Sequence, residues 1–189
     1  MRKYIDDKVS FNARIGAGNA DGTGKAFERY WIDVKFPWDI AAKIGVWDFD
    51  WEDEDGLYID NDAMFTDRDL RGFYFNKPFA MGNAAFYVTR PDAVGIAATD
   101  PSERYEIGAR AKFNFNEQLW LSLNGIMRKY DSNVLTSLNG AGVEKEDEHV
   151  YWAAAGVNFT PSIDLKAAYY GQEVQVGDNV GTESPNALQ

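Results

Sequence analysis

The sequence predicts an all-β chain folded as an antiparallel up-and-down β-barrel of the kind that crosses a membrane. Three observations predict it: segments of about ten residues in which every second side chain is apolar, connections that alternate short and long, and aromatic residues gathered beside the short ones. In the first segment Val9, Phe11, Ala13, Ile15 and Ala17 alternate with Lys8, Ser10, Asn12, Arg14 and Gly16. The same split recurs where Tyr105, Ile107, Ala109, Ala111, Phe113 and Phe115 alternate with Arg104, Glu106, Gly108, Arg110, Lys112 and Asn114. Successive side chains of a strand point to opposite faces, so each segment separates two environments.

Taken in order, the strands expected are 8–18, 26–36, 39–48, 70–77, 83–90, 103–115, 118–130, 149–159 and 163–174, about nine in all. The fourth and fifth carry the weakest pattern, because Arg71 to Lys77 alternates poorly and Pro78 suits only an edge or a turn. Short connections fall at Pro37-Trp38, Pro78 to Gly82, Asn116-Glu117 and Thr160 to Ser162, all rich in turn-forming residues. Long ones fall at Asn19 to Lys25, Trp47 to Asp69, Pro91 to Ser102, Asp131 to Glu148 and beyond Val174. Barrels in membranes place short turns on one side and long loops on the other, which yields this order. No helix of any length is expected, and no block repeats.

Composition limits what the two environments can be. The 189 residues are 45% hydrophobic and 15% aromatic, enough to bury a core as one domain. Thirty acidic against 19 basic residues leave a net charge of −11, which argues against a nucleic-acid partner. There is no cysteine, so neither a disulfide frame nor a thiolate metal site is available. No apolar run approaches the roughly 18 residues of a membrane helix, whereas a barrel strand needs only about 9 to 11 with alternate ones apolar. The opening stretch, Met1 to Asp7, is charged and lacks the apolar core of an export signal, so an exported protein would have had its signal removed.

The apolar parity holds Tyr30, Ile32, Val34 and Phe36, then Ile40, Ala42, Ile44 and Val46, then Tyr151, Ala153, Ala155, Val157 and Phe159, with no charge among them. A charge at the midplane of a lipid-facing surface costs about 2 to 4 kcal/mol, so a lipid face should read this way; so should a protein core. The opposite parity is more informative. It carries Lys8, Arg14, Arg29, Asp33, Lys35, Lys43, Arg104, Glu106, Arg110, Lys112, Arg128, Asp164 and Lys166. These are either the solvated exterior of a soluble barrel or the wall of a water-filled channel. In the channel reading Arg14, Arg29, Asp33, Lys35, Lys43, Glu106, Arg110, Lys112, Arg128 and Lys166 line the pore, and the excess of bases on the strands favours anions unless acidic loops fold in. Phe36, Trp38, Phe79, Phe113, Phe115, Trp120 and Phe159 would form an aromatic girdle near the short turns.

Carboxylates are densest from Asp48 to Asp69. Asp48, Asp50, Asp53 and Asp55, with Asp60 and Asp62, could offer oxygens to calcium. An EF-hand beginning at Asp48 is excluded, because its sixth and twelfth positions are Asp53 and Ile59 in place of glycine and glutamate. A solvated loop or a constriction folded into the barrel is the competing expectation. Paired carboxylates could also serve a glycosidase, but no pair stands out. His149 is the only histidine, and Gly16 to Gly24 does not open a helix after a strand in dinucleotide-binding fashion. No enzyme activity is expected, and no cofactor beyond that calcium.

The segment FERYWIDVKFPWDIAAKIGVWDFDWEDEDGLY, Phe27 to Tyr58, resembles the barrel of bacterial outer-membrane porins, especially those of diderm Firmicutes that carry an S-layer homology domain ahead of the barrel. Tyr30, Asp33 and Lys35 before the turn, Gly45, and the aromatic-acidic loop after Trp47 carry the likeness, which extends more weakly to about Val176. The resemblance implies location in the outer membrane among its lipids, a homotrimer, and passive diffusion of small hydrophilic solutes and ions. It also implies a barrel of which residues 1–189 are one incomplete region, with 178–189 as a loop or disordered tail. An odd strand count and the lack of a final aromatic-ended strand lead to the expectation of a fragment of a barrel about twice as long. Two alternatives remain: a soluble lipocalin-like barrel holding an apolar ligand, and a surface adhesin or structural barrel that does not conduct.

Overall fold

A computed structural model describes residues 1–14, 29–57, 65–66, 68–90, 105–129, 135–138, 141–160, 163–176, 182–183 and 186–188. Arg104, Asp60 and Asp62, and the expected strand portions 15–18 and 26–28, lie outside the described residues. The chain forms an antiparallel sheet of ten strands in sequence order: β1 (Arg2–Tyr4), β2 (Val9–Arg14), β3 (Arg29–Lys35), β4 (Ala41–Phe49), β5 (Arg68–Phe79), β6 (Gly82–Thr89), β7 (Tyr105–Asn114), β8 (Leu119–Lys129), β10 (Ala141–Thr160) and β11 (Ile163–Val176). Three short strands are added at its margins. β9 (Leu135–Leu138) pairs with the start of β10, while β12 (Thr182–Glu183) and β13 (Asn186–Leu188) pair with β11. The tail expected as a loop therefore returns along β11. β1 and β11 are not paired with each other, so the sheet is open.

The tenth strand is β1, which the sequence pattern had not suggested because three exposed residues, Arg2, Lys3 and Tyr4, show no alternation. It joins β2 through a short turn in which Asp6 Oδ1 accepts the amides of Lys8 and Val9, both at 2.7 Å. Asn116 Oδ1 does the same for Gln118 and Leu119 at 2.8 Å in the β7–β8 turn. Asp and Asn are favoured there because a short side-chain acceptor can satisfy turn amides that no strand partner reaches. With β1 included, short and long connections still alternate.

The two strands of weakest pattern are among the most regular. β5 pairs without a break from Gly72↔Thr89 to Phe79↔Gly82, and Pro78 sits one residue from the end of β5 beside the turn. Its alternation was hidden because both faces carry aromatics, Phe73 and Phe75 on one and Tyr74 on the other. At the paired Gly45 and Gly72, φ is 138° and 155°, and a Cβ at either would overlap the backbone of the neighbouring strand. Only glycine permits that approach.

Among the described residues helix is confined to one turn, α1 (Trp51–Glu54), and a three-residue 3₁₀ turn at Pro37–Asp39. Among the described residues no helix is long and apolar enough to cross a membrane, which says nothing of strands.

The sheet curls around α1. Trp51 follows β4, yet its ring lies 6.4 Å from that of Trp152 on β10, five strand positions away, a separation of about 24 Å in a flat sheet. Phe49 of β4 likewise meets Tyr87 of β6 at 4.9 Å. The concave side is therefore the packed side.

Candidate functional site: the charged concave face

Register decides which side chains share the concave face. One cross-strand row runs Asp33, Lys43, Tyr74, Tyr87, Gly108, Ile126, Val150 and Gln172, and the next runs Ala85, Arg110, Asn124, Trp152 and Tyr170. The ten residues expected to line a pore all fall on this side by register. Glu106, Arg110 and Arg128 are buried; Arg29, Asp33, Lys43 and Lys112 are partly covered; Arg14, Lys35 and Lys166 are open. The apolar parity lies on the convex side. Val9, Ile107 and Val157 do not gather in a dry interior; their cross-strand neighbours on that side include the exposed Val88, Met127, Leu119 and Leu165.

Such a distribution inverts the usual rule, under which charges are almost never fully buried unless paired while large apolar side chains seek the interior. Here Ile32, Phe73, Phe86, Leu123 and Tyr169 are exposed, while Glu106 is fully buried and Arg110 is 4% exposed.

The buried charges are paired. Arg128 Nε donates to Glu106 Oε2 at 2.7 Å, its Nη1 lies 3.2 Å from Glu148 Oε2, and Tyr87 donates its hydroxyl to Glu106 Oε1 at 2.6 Å. Glu148 in turn accepts from Gln172 Nε2. Tyr87, Glu106, Arg128, Glu148 and Gln172 thus form a polar belt across five strands. Glu148 is missing from the expected wall because the expected strand begins at residue 149, whereas β10 begins at Ala141; its parity with Val150 and Trp152 is the available signal.

The acidic segment after β4 packs against this face. Trp51 is buried against Phe49 (4.9 Å), Tyr87 (5.3 Å) and Trp152, and Arg110 lies over its ring at 5.9 Å. Asp55, buried, forms an ion pair with Arg110, accepts from Lys112 Nζ at 2.8 Å and from Ser122 Oγ at 2.5 Å. Glu54 Oε2 takes the other Arg110 nitrogen, Nη1, at 2.6 Å. Glu52 accepts the amides of Phe65 and Thr66 at 2.8 and 2.9 Å and the Thr66 hydroxyl at 3.0 Å, which ties the two ends of the connection together. Phe65 then stacks on Trp152 at 6.5 Å. The described parts of this segment, residues 51–57 and 65–66, therefore lie against the concave face.

Two expectations need correction. Most of the wall's bases are answered by carboxylates, since Glu54 and Asp55 answer Arg110 and Lys112, Asp48 and Asp69 answer Arg29 at 2.6 Å each, and Asp164 answers Lys166 at 2.8 Å. The expected anion preference holds only if the acidic loops stay out, and the described part of the segment between β4 and β5 lies on this face. Trp120 is not part of an outer girdle: it is buried on the concave face, with its ring across Gly156 and Lys112 Nζ 4.7 Å above it. Proximity to a turn does not specify a face. Phe36, Trp38, Phe79, Phe115 and Phe159 are exposed beside the short turns, and Phe113 packs between Phe79 at 5.7 Å and Phe115 at 6.4 Å.

Asp48, Asp50, Asp53 and Asp55 do not converge. Asp48 faces Arg29, Asp55 is spent on Arg110, Lys112 and Ser122, and only Asp50 and Asp53 interact directly. Among the described residues no group of three or more Asp, Glu, His or Cys side chains is arranged to hold a metal ion. Burial, followed by the charge of Asp53, pushes the Asp50 carboxyl up to about 6. No family model matches the chain, and no curated protein matches it.

Proposed function

We propose that this chain is the wall of a porin-type channel through which small hydrophilic solutes and ions diffuse across the bacterial outer membrane. The observation that carries the reading is the inverted polarity of the sheet: ion-paired charges on the concave side and, on the convex side, a largely apolar band in which β5 contributes the charged Arg71 and Lys77. A lipid-facing surface excludes charge, whereas a water-filled interior accepts it. The exposed aromatics beside the short turns fit the headgroup level of one leaflet. The likeness to the S-layer-homology-tethered porins of diderm Firmicutes points the same way and adds a homotrimer among outer-membrane lipids. An open sheet leaves unpaired backbone at both edges, which hydrocarbon does not tolerate, so further strands complete the barrel in this reading.

The lipocalin-like alternative needs its apolar parity inside, opposite to the placement of Ile32, Phe86 and Leu123. The non-conducting structural barrel draws support from the packed Trp51, Tyr87, Trp152 and Tyr170 on the concave face. Planar-bilayer recording of the full-length protein separates these readings. Stepwise ohmic conductance is the expected result; a protein that inserts yet passes no current would be the structural barrel, and one that stays in water without detergent would be neither.

A further inference from the structure

We infer that the pathway along the concave face favours cations, because the segment docked after β4 neutralises Arg110 and Lys112 and adds carboxylates that no cation among the described residues pairs with. The inference rests on the channel reading and names the solute class that reading leaves open.

Arg110 and Lys112 are the bases that the inserted segment meets, and Glu54 and Asp55 hold both. Their positive charge is spent inside the wall. Arg29 lies between two carboxylates, those of Asp48 and Asp69. Among the described residues no cation pairs with Asp50 or Asp53, and the Glu54 side chain is 57% exposed in spite of its bond to Arg110. Charges at the rim of a low-dielectric wall focus their field into the adjacent water, so the surplus carboxylates raise the local concentration of cations and repel anions.

The surroundings of Asp50 agree with that pairing. Asp50 Oδ1 is sealed from solvent without a hydrogen-bond partner. The charged groups facing it are Asp53 of α1 and Asp48 at the end of β4, the latter held by Arg29 of β3. Its hold on a proton up to about pH 6 reflects burial together with the negative potential that these neighbours create. The same potential acts on a passing ion.

The test is the reversal potential of the full-length protein in neutral-lipid bilayers under a potassium chloride gradient. Wild type should prefer potassium. Asp53→Asn and Glu54→Gln, both at exposed side chains that the fold does not need buried, should each lower the cation-to-anion permeability ratio by about twofold. Acidifying wild type from about pH 7.5 to about pH 5 should lower it too, and Asp50→Asn should remove that step. Chloride preference in wild type, or ratios unmoved by both substitutions and by pH, overturns the inference while leaving a channel. Absence of conductance overturns the channel reading and this inference with it.

Discussion

Arg110 and Asp55 form an ion pair in which both side chains are closed to solvent, 1% and 0% exposed. One lies on β7 and the other just beyond α1, so this pair fastens the acidic segment to the wall. Removing one partner of a buried pair leaves an uncompensated charge, which costs about 3 to 5 kcal/mol. Asp55→Ala should therefore destabilise the fold by about 3 kcal/mol in urea titrations of the detergent-refolded protein, since Glu54 still holds part of Arg110. A loss below about 1 kcal/mol would mean that the segment is not fastened there.

Leu123 lies in the middle of β8 on the convex side, 47% exposed. Leu123→Arg should cost about 2 to 4 kcal/mol when the protein is folded into lipid. Were that surface wetted, the same change would stay within about 0.5 kcal/mol. Bilayer refolding equilibria of the two proteins decide between lipid and water on that face.

Gly108 faces Tyr87 across the β6–β7 pair, and the phenol ring occupies the space that a Cβ would need. Tyr87 can only then reach Glu106. Gly108→Ala should displace the ring and cost about 1 to 3 kcal/mol by overpacking. Gly125→Ala, where a Cβ has room, is the control and should be close to neutral. Equal losses at both sites would contradict the packing described.

Asp50 sets a pH dependence with a definite sign. Its folded-state pKa of about 6 lies above the ordinary 3.8, so the folded state binds the proton more tightly. Its contribution to stability is largest below about pH 4 and is lost as pH rises towards about 6. Docking of the Trp51 turn should therefore loosen from pH 4 to pH 6 to the extent that Asp50 governs it, and Asp50→Asn should flatten that change. Amide hydrogen exchange at residues 51–56 reads it directly; tighter protection at the higher pH in wild type, with the same slope in Asp50→Asn, would refute it.

Much of the strand pattern was legible because period two is a local property. Neither Tyr105 nor Ile107 needs information from elsewhere to lie, or not to lie, on one face with Ala109. The polar parity was legible for the same reason, and all ten residues read as a wall share a face. Position along the barrel and partnership across it were not. Trp120 was assigned by its distance from a turn, whereas its face follows from register with Gly156. The bond from Asp55 to Ser122 spans 67 residues, and no local pattern encodes such a closure.

By itself, then, the sequence determined the all-β class, the order of short and long connections and the division of each strand into two faces, since these follow from backbone geometry and nearest neighbours. Only the tertiary structure decided that the charged face is concave, that the acidic segment lies against it, and that Glu54 and Asp55 of that segment are held by Arg110 and Lys112. Curvature brings together residues far apart in the chain, and charge acts through space at the distances which that curvature sets.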